Sequence, residues 1–315
     1  MRLASVMARR LAWSVPLLLL VSLISFVLAS LGPGDVAGVI LGTGATDAQR
    51  AEVTRQLGLD APLPEQYWNW LSHALRGDLG SSLYSHESVT SMLSSRLPVT
   101  LSLTLLTLVL SVVLGILLGT VSAIRGGAAA RLVDASSLMA MAVPSFWFAA
   151  LLVVAFAVWL PLFPASGYVP FTMSPSMWLS SLALPVVCLA TSSVAGLALQ
   201  TRGQMVVTFQ SDFVRALRAN GLPTRSVLFR HVLKNASGPV VTLSGLLVVS
   251  LLGGTVLMEA IFGMAGLGTL AVEATTRHDL PVIQGVVVYF TVIVILVNLL
   301  TDLAQAALNP RVDSA

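Results

Sequence analysis

Six stretches of this chain stay apolar for the length that a helix needs to cross a bilayer: residues 11–31, 99–124, 135–160, 178–200, 239–258 and 282–303. A hydrocarbon core about 30 Å thick takes roughly 20 residues of helix. Residues 99–124 and 135–160 carry no charged side chain. A charge at the centre of a span costs about 2.5–3.5 kcal/mol on insertion scales, so lipid selects for runs of this kind. Lipid also offers backbone groups no hydrogen bonds, which leaves helices as the way to use these runs. Composition agrees. The chain is 56% hydrophobic and 10% charged, against about 25% charged in soluble domains. The reading is an all-α integral membrane protein with six transmembrane helices.

The basic residues orient the spans. Arg2, Arg9 and Arg10 precede the first, Arg125 and Arg131 separate the second from the third, and Arg202, Arg215, Arg218, Arg225, Arg230 and Lys234 separate the fourth from the fifth. Basic segments mark the cytoplasmic side. The intervening segments agree: residues 32–97 hold Asp35, Asp47, Glu52, Asp60, Glu65, Asp78 and Glu87, and residues 161–177 hold no charge. Six spans with both termini cytoplasmic satisfy every segment. The first span also has the basic start of a signal peptide, but its apolar run exceeds the usual 7–15 residues. Trp13, Trp159 and Trp178 sit near span ends, as interfacial aromatics do. Pro16, Pro144 and Pro185 are candidate kinks, and Gly253-Gly254 should loosen the fifth span.

Outside the membrane, Thr46, Asp47 and Gln49 predict a helix start and Gly58 its end, with a second helix over residues 63–75 closed by Gly77. Tyr67, Trp68, Trp70 and Leu71 crowd this second helix. A cap on the membrane face and a docking surface for an external partner both fit.

The basic connector between spans four and five parses as helix, turn, helix. Ser211 or Asp212 can cap the first helix, and the acid suits the positive end of the dipole. Phe213, Val214 and Leu217 share one face, with Arg215 and Arg218 on another. Gly221 stops the helix and Pro223 prevents its continuation; Thr224 or Ser226 starts the second helix, where Leu228 and Val232, and Arg230 and Lys234, are one turn apart. Such a knob can seat in a groove on a soluble partner. A helix lying on anionic lipid would use the same arginines. A DNA-binding helix-turn-helix is excluded because both flanks enter the membrane, so no nucleic acid is expected.

Several chemistries are absent. The only lysine, Lys234, lies between Leu233 and Asn235, so no Gly-Lys-Ser/Thr phosphate loop exists and the chain cannot hydrolyse ATP by that device. His73, His86, His231 and His278 are scattered and Cys188 is the sole cysteine, giving no metal cluster and no intrachain disulfide. No Gly-x-Ser-x-Gly elbow occurs. Asp302, one turn from Asn298, is the one ionisable group in a span, which is little for a proton- or sodium-coupled carrier. A transporter with neither device takes its work from another subunit.

The ordered motifs carry a family likeness. Leu57-Gly58-Leu59-Asp60-Ala61-Pro62-Leu63, Gln66-Tyr67 and Arg76-Gly77-Asp78-Leu79-Gly80 stand outside the membrane. Asp212-Phe213-Val214-Arg215, Arg218-Ala219, Gly221-Leu222, His231, Leu233, Asn235-Ala236 and Pro239 follow in the connector. Gly253-Gly254, Glu259, Ile261-Phe262, Gly266-Leu267-Gly268, Pro281-Val282, Gln284-Gly285, Asn298-Leu299 with Asp302, and Asn309-Pro310-Arg311 complete the series. Over nearly its whole length the chain resembles the permease subunits of ATP-binding-cassette importers for dipeptides and oligopeptides, specifically the first (B-type) permease.

The resemblance implies a type I importer permease fold in a bacterial cytoplasmic membrane, non-catalytic, with no cofactor bound by this chain. ATP and Mg would be bound by two partner ATPases. The other implied partners are a second homologous permease, an extracytoplasmic substrate-binding protein and membrane lipid. Asp212, Arg215, Ala216, Leu217, Arg218, Ala219, Gly221, His231 and Asn235 would form the ATPase-coupling loop. The implied organisation is residues 1–98 as first span plus outer segment, 99–305 as a five-helix core with coupling loop 202–238, and 306–315 as a cytoplasmic tail. Nickel, glutathione or another small solute is the alternative cargo. Ala216-Leu217 stands where the family usually has Thr-Ala, Asn220 where it often has Lys, and Asn309 where it usually has Asp.

Overall fold

The structure, a computed structural model, describes residues 2–31, 36–41, 44–56 and 58–308. Asn309, Pro310 and Arg311 of the family-like tail, together with Asp35 and Leu57, lie outside these residues. Every regular element among the described residues is helical, apart from one isolated antiparallel bridge between Ser81 and Ser88. Thirteen helices follow in order: α1 (Arg2–Leu31), α2 (Val36–Leu41), α3 (Asp47–Gln56), α4 (Leu63–Ala74), α5 (Val89–Arg125), α6 (Gly127–Ala142), α7 (Ser145–Val153), α8 (Pro175–Phe209), α9 (Asp212–Ala219), α10 (Thr224–Ser226), α11 (Leu233–Ile261), α12 (Leu267–Arg277) and α13 (Leu280–Leu308). Short π-helical turns extend α7 over Val154–Trp159 and join α10 to α11 over Val227–Val232.

Five of the described helical runs are long and apolar enough to cross a membrane: Arg9–Leu31, Val89–Arg125, Pro175–Phe209, Thr224–Ile261 and Leu280–Ala307. The expected third span is not one rod. It is the pair Gly127–Ala142 and Ser145–Trp159, bent by 95°, and counting that pair as one broken span gives six. The break follows from Pro144. Val143 is extended, with φ −79° and ψ 123°, because a residue before proline is pushed out of the helical region, and the proline itself has no amide to donate.

Other prolines do not break their helices. Pro98 and Pro239, read as the edges of spans two and five, lie inside α5 and α11, and Pro16 and Pro185 lie inside α1 and α8. For Pro98 the reason is packing. Val89 and Leu93, on the extra turns before it, are fully buried, and that burial outweighs one lost hydrogen bond. Gly253-Gly254 likewise sits within unbroken α11. Helix α12 was not expected. The Gly266-Leu267-Gly268 run that opens it reads as a loop, yet Thr269 Oγ1 accepts the Gly266 N–H at 3.1 Å and Thr100 Oγ1 accepts the Leu267 N–H at 2.9 Å.

Contacts divide the described residues into two compact units, with α1, α5 and α13 contributing to both. One holds residues 2–3, 101–264 and 296–308. Its centre is α8, which buries Leu182, Leu189, Leu197, Ala198 and Met205. Gly115 and Gly119 of α5 meet α8 backbone to backbone. A Cβ on Gly119 would stand 2.5 Å from the Ala198 carbonyl oxygen and 2.6 Å from Thr201 Cβ, and one on Gly115 would stand 2.5 Å from Leu197 Cβ. In lipid, where apolar burial between helices drives little, such small-residue seams let helices approach and gain van der Waals contact. Arg202 of α8 pairs with Asp134 of α6 in the same unit.

The second unit holds residues 4–100 and 265–295, so contacts group residues 265–295 with the outer segment rather than with the rest of the 99–305 core of the chain-order division. Val89, Leu93, Leu267, Leu270, Val282 and Val286 form its apolar centre. Gln284 is fully buried beside α1, with its amide oxygen facing the Phe26 N–H at 2.7 Å and its NH2 facing the Ser22 carbonyl at 3.3 Å. The outer expectations hold here. Gln49 Oε1 accepts the Thr46 N–H at 2.9 Å, and α3 and α4 start and stop as predicted to within a residue or two. The loop over residues 78–88 is clasped by Asp279, which accepts from Ser82 Oγ at 2.5 Å and from the Leu83 N–H at 3.2 Å. The Tyr84 hydroxyl donates to the Arg277 carbonyl. Burial, and then the charge of Asp279, push the Tyr84 phenol above its ordinary value.

Candidate functional site

The basic connector folds as a solid knob. Helix α8 runs nine residues beyond its apolar core, to Phe209, and Ser211 turns the chain into the eight-residue α9. The Ser211 hydroxyl donates back to the Thr208 carbonyl at 2.5 Å, so it does not cap α9. Asp212 supplies the negative charge at that end and accepts from Arg215 at 3.3 Å.

The far end closes on glycine. Gly221 has φ +75°, a left-handed conformation that a side chain disfavours. Its N–H bonds the Arg218 carbonyl at 3.0 Å and the Leu222 N–H bonds the Leu217 carbonyl at 3.2 Å. That pair of bonds is the Schellman motif, which satisfies carbonyls otherwise orphaned at a helix end. Leu217 and Leu222 each pack against a buried cluster of Met205, Val214, Val227, Leu228, Val232 and Ala236. The knob therefore has its own core, drawn from the tail of α8, from α9 and from the base of α11.

The structure places the predicted coupling residues on two sides of this core. Asp212, Arg215, Ala216, Arg218, Ala219 and Gly221 are exposed. Residues 212, 215, 216 and 219 recur at helical spacing, so one outward face of α9 carries a charge pair and two small side chains. Leu217 is half-buried in the knob's own cluster. His231 is half-buried in the π turn, and exposed Asn235 donates to its carbonyl at 2.8 Å. Phe213 does not join Val214 and Leu217. It is 41% exposed, because Val214 and Leu217 alone fill the narrow inward stripe of so short a helix. Arg218 stacks over the Phe209 ring at 5.6 Å.

Sequence reasoning named Val214, Leu228 and Val232 but missed Met205 and Ala236 as their partners. The signal for Met205 was the continuation of α8 past the apolar run. The connector read as helix, turn, helix has no free second helix: Thr224–Ile261 is one helical run through the π turn. Arg225, Arg230 and Lys234 are exposed around α9, so the outer surface is predominantly cationic. No group of three or more His, Cys, Asp or Glu able to hold a metal ion occurs among the described residues.

Comparisons with known proteins follow the same lines. Residues 111–314 match the family described as binding-protein-dependent transport system inner membrane component, and residues 3–104 match the N-terminal component of the same systems. A protein of Brucella abortus (strain 2308) named for a peptide transport system permease is 38% identical over 311 residues, 98% of this chain and 99% of that one. The oligopeptide transport system permease protein AppB of Bacillus subtilis (strain 168) is 34% identical over 315 residues, 99% of this chain and 100% of its own. The glutathione transport system permease protein GsiC of Pectobacterium atrosepticum is 38% identical over 306 residues, covering 96% and 97%. A chain of the inward-facing MetNI methionine ABC transporter superposes with a TM-score of 0.56 at 17% identity, over 70% of this chain and 97% of that one, a likeness of fold.

Proposed function

This chain belongs to the family of binding-protein-dependent transport system inner membrane components, and on that premise we propose that it is the peptide-conducting permease of an importer driven by separate ATPases through α9. The observation that carries the reading is the knob's construction. A helix end closed by two Schellman bonds and seated on six buried side chains moves as one body. Its neighbours α8 and the run Thr224–Ile261 continue without a break into the membrane. A push on α9 is therefore delivered to two spans.

The outer face suits a groove on a soluble partner. Ala216 and Ala219 allow close approach, and Arg215, Arg218 and Arg225 can meet an acidic rim. Cationic connectors also set orientation, which puts α9 and both chain ends in the cytosol. ATP with Mg belongs to two such ATPase partners. A second homologous permease would complete the pathway, and an extracytoplasmic binding protein would deliver the cargo. Moving a two-state equilibrium from 1:99 to 99:1 takes about 5.5 kcal/mol of differential contact, and nucleotide-dependent docking on α9 would supply it. Peptide cargo rests on the names of the Brucella and Bacillus relatives. The glutathione permease at 38% identity favours a second reading, in which the cargo is glutathione.

The test is Ala216→Cys in a Cys188→Ala background, reconstituted with the ATPases, second permease and binding protein. Crosslinking of position 216 to an ATPase and uptake that requires ATP are the expected results. Labelling of position 216 only from outside, or uptake by this chain alone, would sink the proposal.

A further inference from the structure

The break between α6 and α7 opens a cavity of about 170 Å³ against α8. Met139, Val143 and Phe148 give it an apolar wall, and Ser145, Thr191 and Ser192 add hydroxyls. The cavity lies midway along the helices that line it. Pro144 is near the middle of the run from Gly127 to Trp159, and Thr191 is near the middle of α8, roughly 25 Å from either end at 1.5 Å per residue. Val143 and Pro144, where the helix is interrupted, are exposed beside it.

Lipid is a poor cover for this place. Interrupted backbone at membrane depth is tolerated where protein buries it or where it lines a watery space, because hydrocarbon cannot satisfy the freed carbonyls and amides. Here the break is exposed on this chain, so its complement is a pathway or another protein. Discontinuous spans near the midplane are where secondary transporters hold cargo. Size narrows the occupant. Pockets for whole drug-sized ligands hold about 300–1,000 Å³, whereas a cavity of about 150 Å³ takes a benzene ring.

We infer that this cavity is a side-chain subsite of the translocation pathway, taking one apolar side chain of the transported peptide while Ser145 and Thr191 serve its polar backbone. The inference rests on the peptide-importer reading above.

Filling the cavity tests it in the full reconstituted complex. Ser192→Leu places a bulky group at an exposed position, and Ala140→Leu adds bulk from the opposite wall, where Ala140 is half-buried. Both variants should cut uptake of Gly-Leu and Gly-Phe at least tenfold more than they cut uptake of Gly-Gly. Equal losses for all three dipeptides, or no change in preference, would overturn the inference. A photo-crosslinker at position 192 gives an arm that does not depend on filling. Capture of labelled Gly-Phe supports the subsite, while capture of the second permease in every nucleotide state, or of lipid alone, overturns it. If the wild-type complex imports no peptide, the peptide-importer reading itself fails. If it imports peptides and the variants keep its preference, only the subsite fails.

Discussion

Helices α3 and α9 are both short, charged and outside the spans, yet they are held in opposite ways. Helix α3 buries no residue. Its supports include local ones: the Thr46–Gln49 capping contacts, the Glu52–Arg55 pair at 3.1 Å and the Gln56–Glu52 bond at 3.0 Å. Exposed pairs of this kind contribute a few tenths of a kcal/mol each, so α3 frays easily. Helix α9 has one exposed ion pair of the same sort, but it also buries Val214 to 1% exposure in a six-residue cluster and closes on Gly221. Charge content does not separate the two helices. Burial does, and burial is what a part that transmits force needs, because a helix with no buried side chain is weakly anchored.

The sharpest way to break this contrast is Val214→Asp. A carboxylate in the knob's core would cost several kcal/mol, and substrate-stimulated ATPase activity and uptake should both fall more than tenfold while the complex still assembles in the membrane. Preserved coupling would show that the core is dispensable. The outer clasp comes next. Asp279→Ala leaves the buried Ser82 hydroxyl and Leu83 amide without their acceptor, about 1–3 kcal/mol each, and hydrogen exchange should rise across residues 78–88 but not in α9. Gly221→Ala has open space for its methyl but a left-handed φ, so it should cost about 1–2 kcal/mol. Its mark would be a severalfold drop in uptake per ATP hydrolysed at unchanged expression. Thr46→Ala is the smallest, about 1 kcal/mol confined to α3, read as faster proteolysis at residues 47–56 with uptake intact. Loss of uptake from Thr46→Ala would mean that α3 is more than a locally held helix.

Much of the fold was legible because lipid imposes a length rule and a charge rule that act on sequence directly. The spans, α3 and α4, and the glycine turn at Gly221 all follow from local chemistry. Phe213 was misplaced because helical spacing gives a direction without saying how wide the buried stripe is. Pro98 and Pro144 look alike in sequence, but the turns around Pro98 are anchored by Val89 and Leu93 whereas the chain at Val143 turns away. Residues 265–277 hid a helix because its first amides are satisfied partly by Thr100, far away in the chain.

By itself, then, the sequence determined that this chain is helical and lives in lipid, that its basic connector ends a short helix at Gly221, and that it carries no ATP-hydrolysing loop. Only the tertiary structure decided which proline breaks a span, which side chains seat α9, and where a cavity opens beside the broken span. The division has one cause. Solvent acts on each residue where it stands, while packing depends on partners as distant as Val214 from Ala236, whose proximity no local pattern encodes.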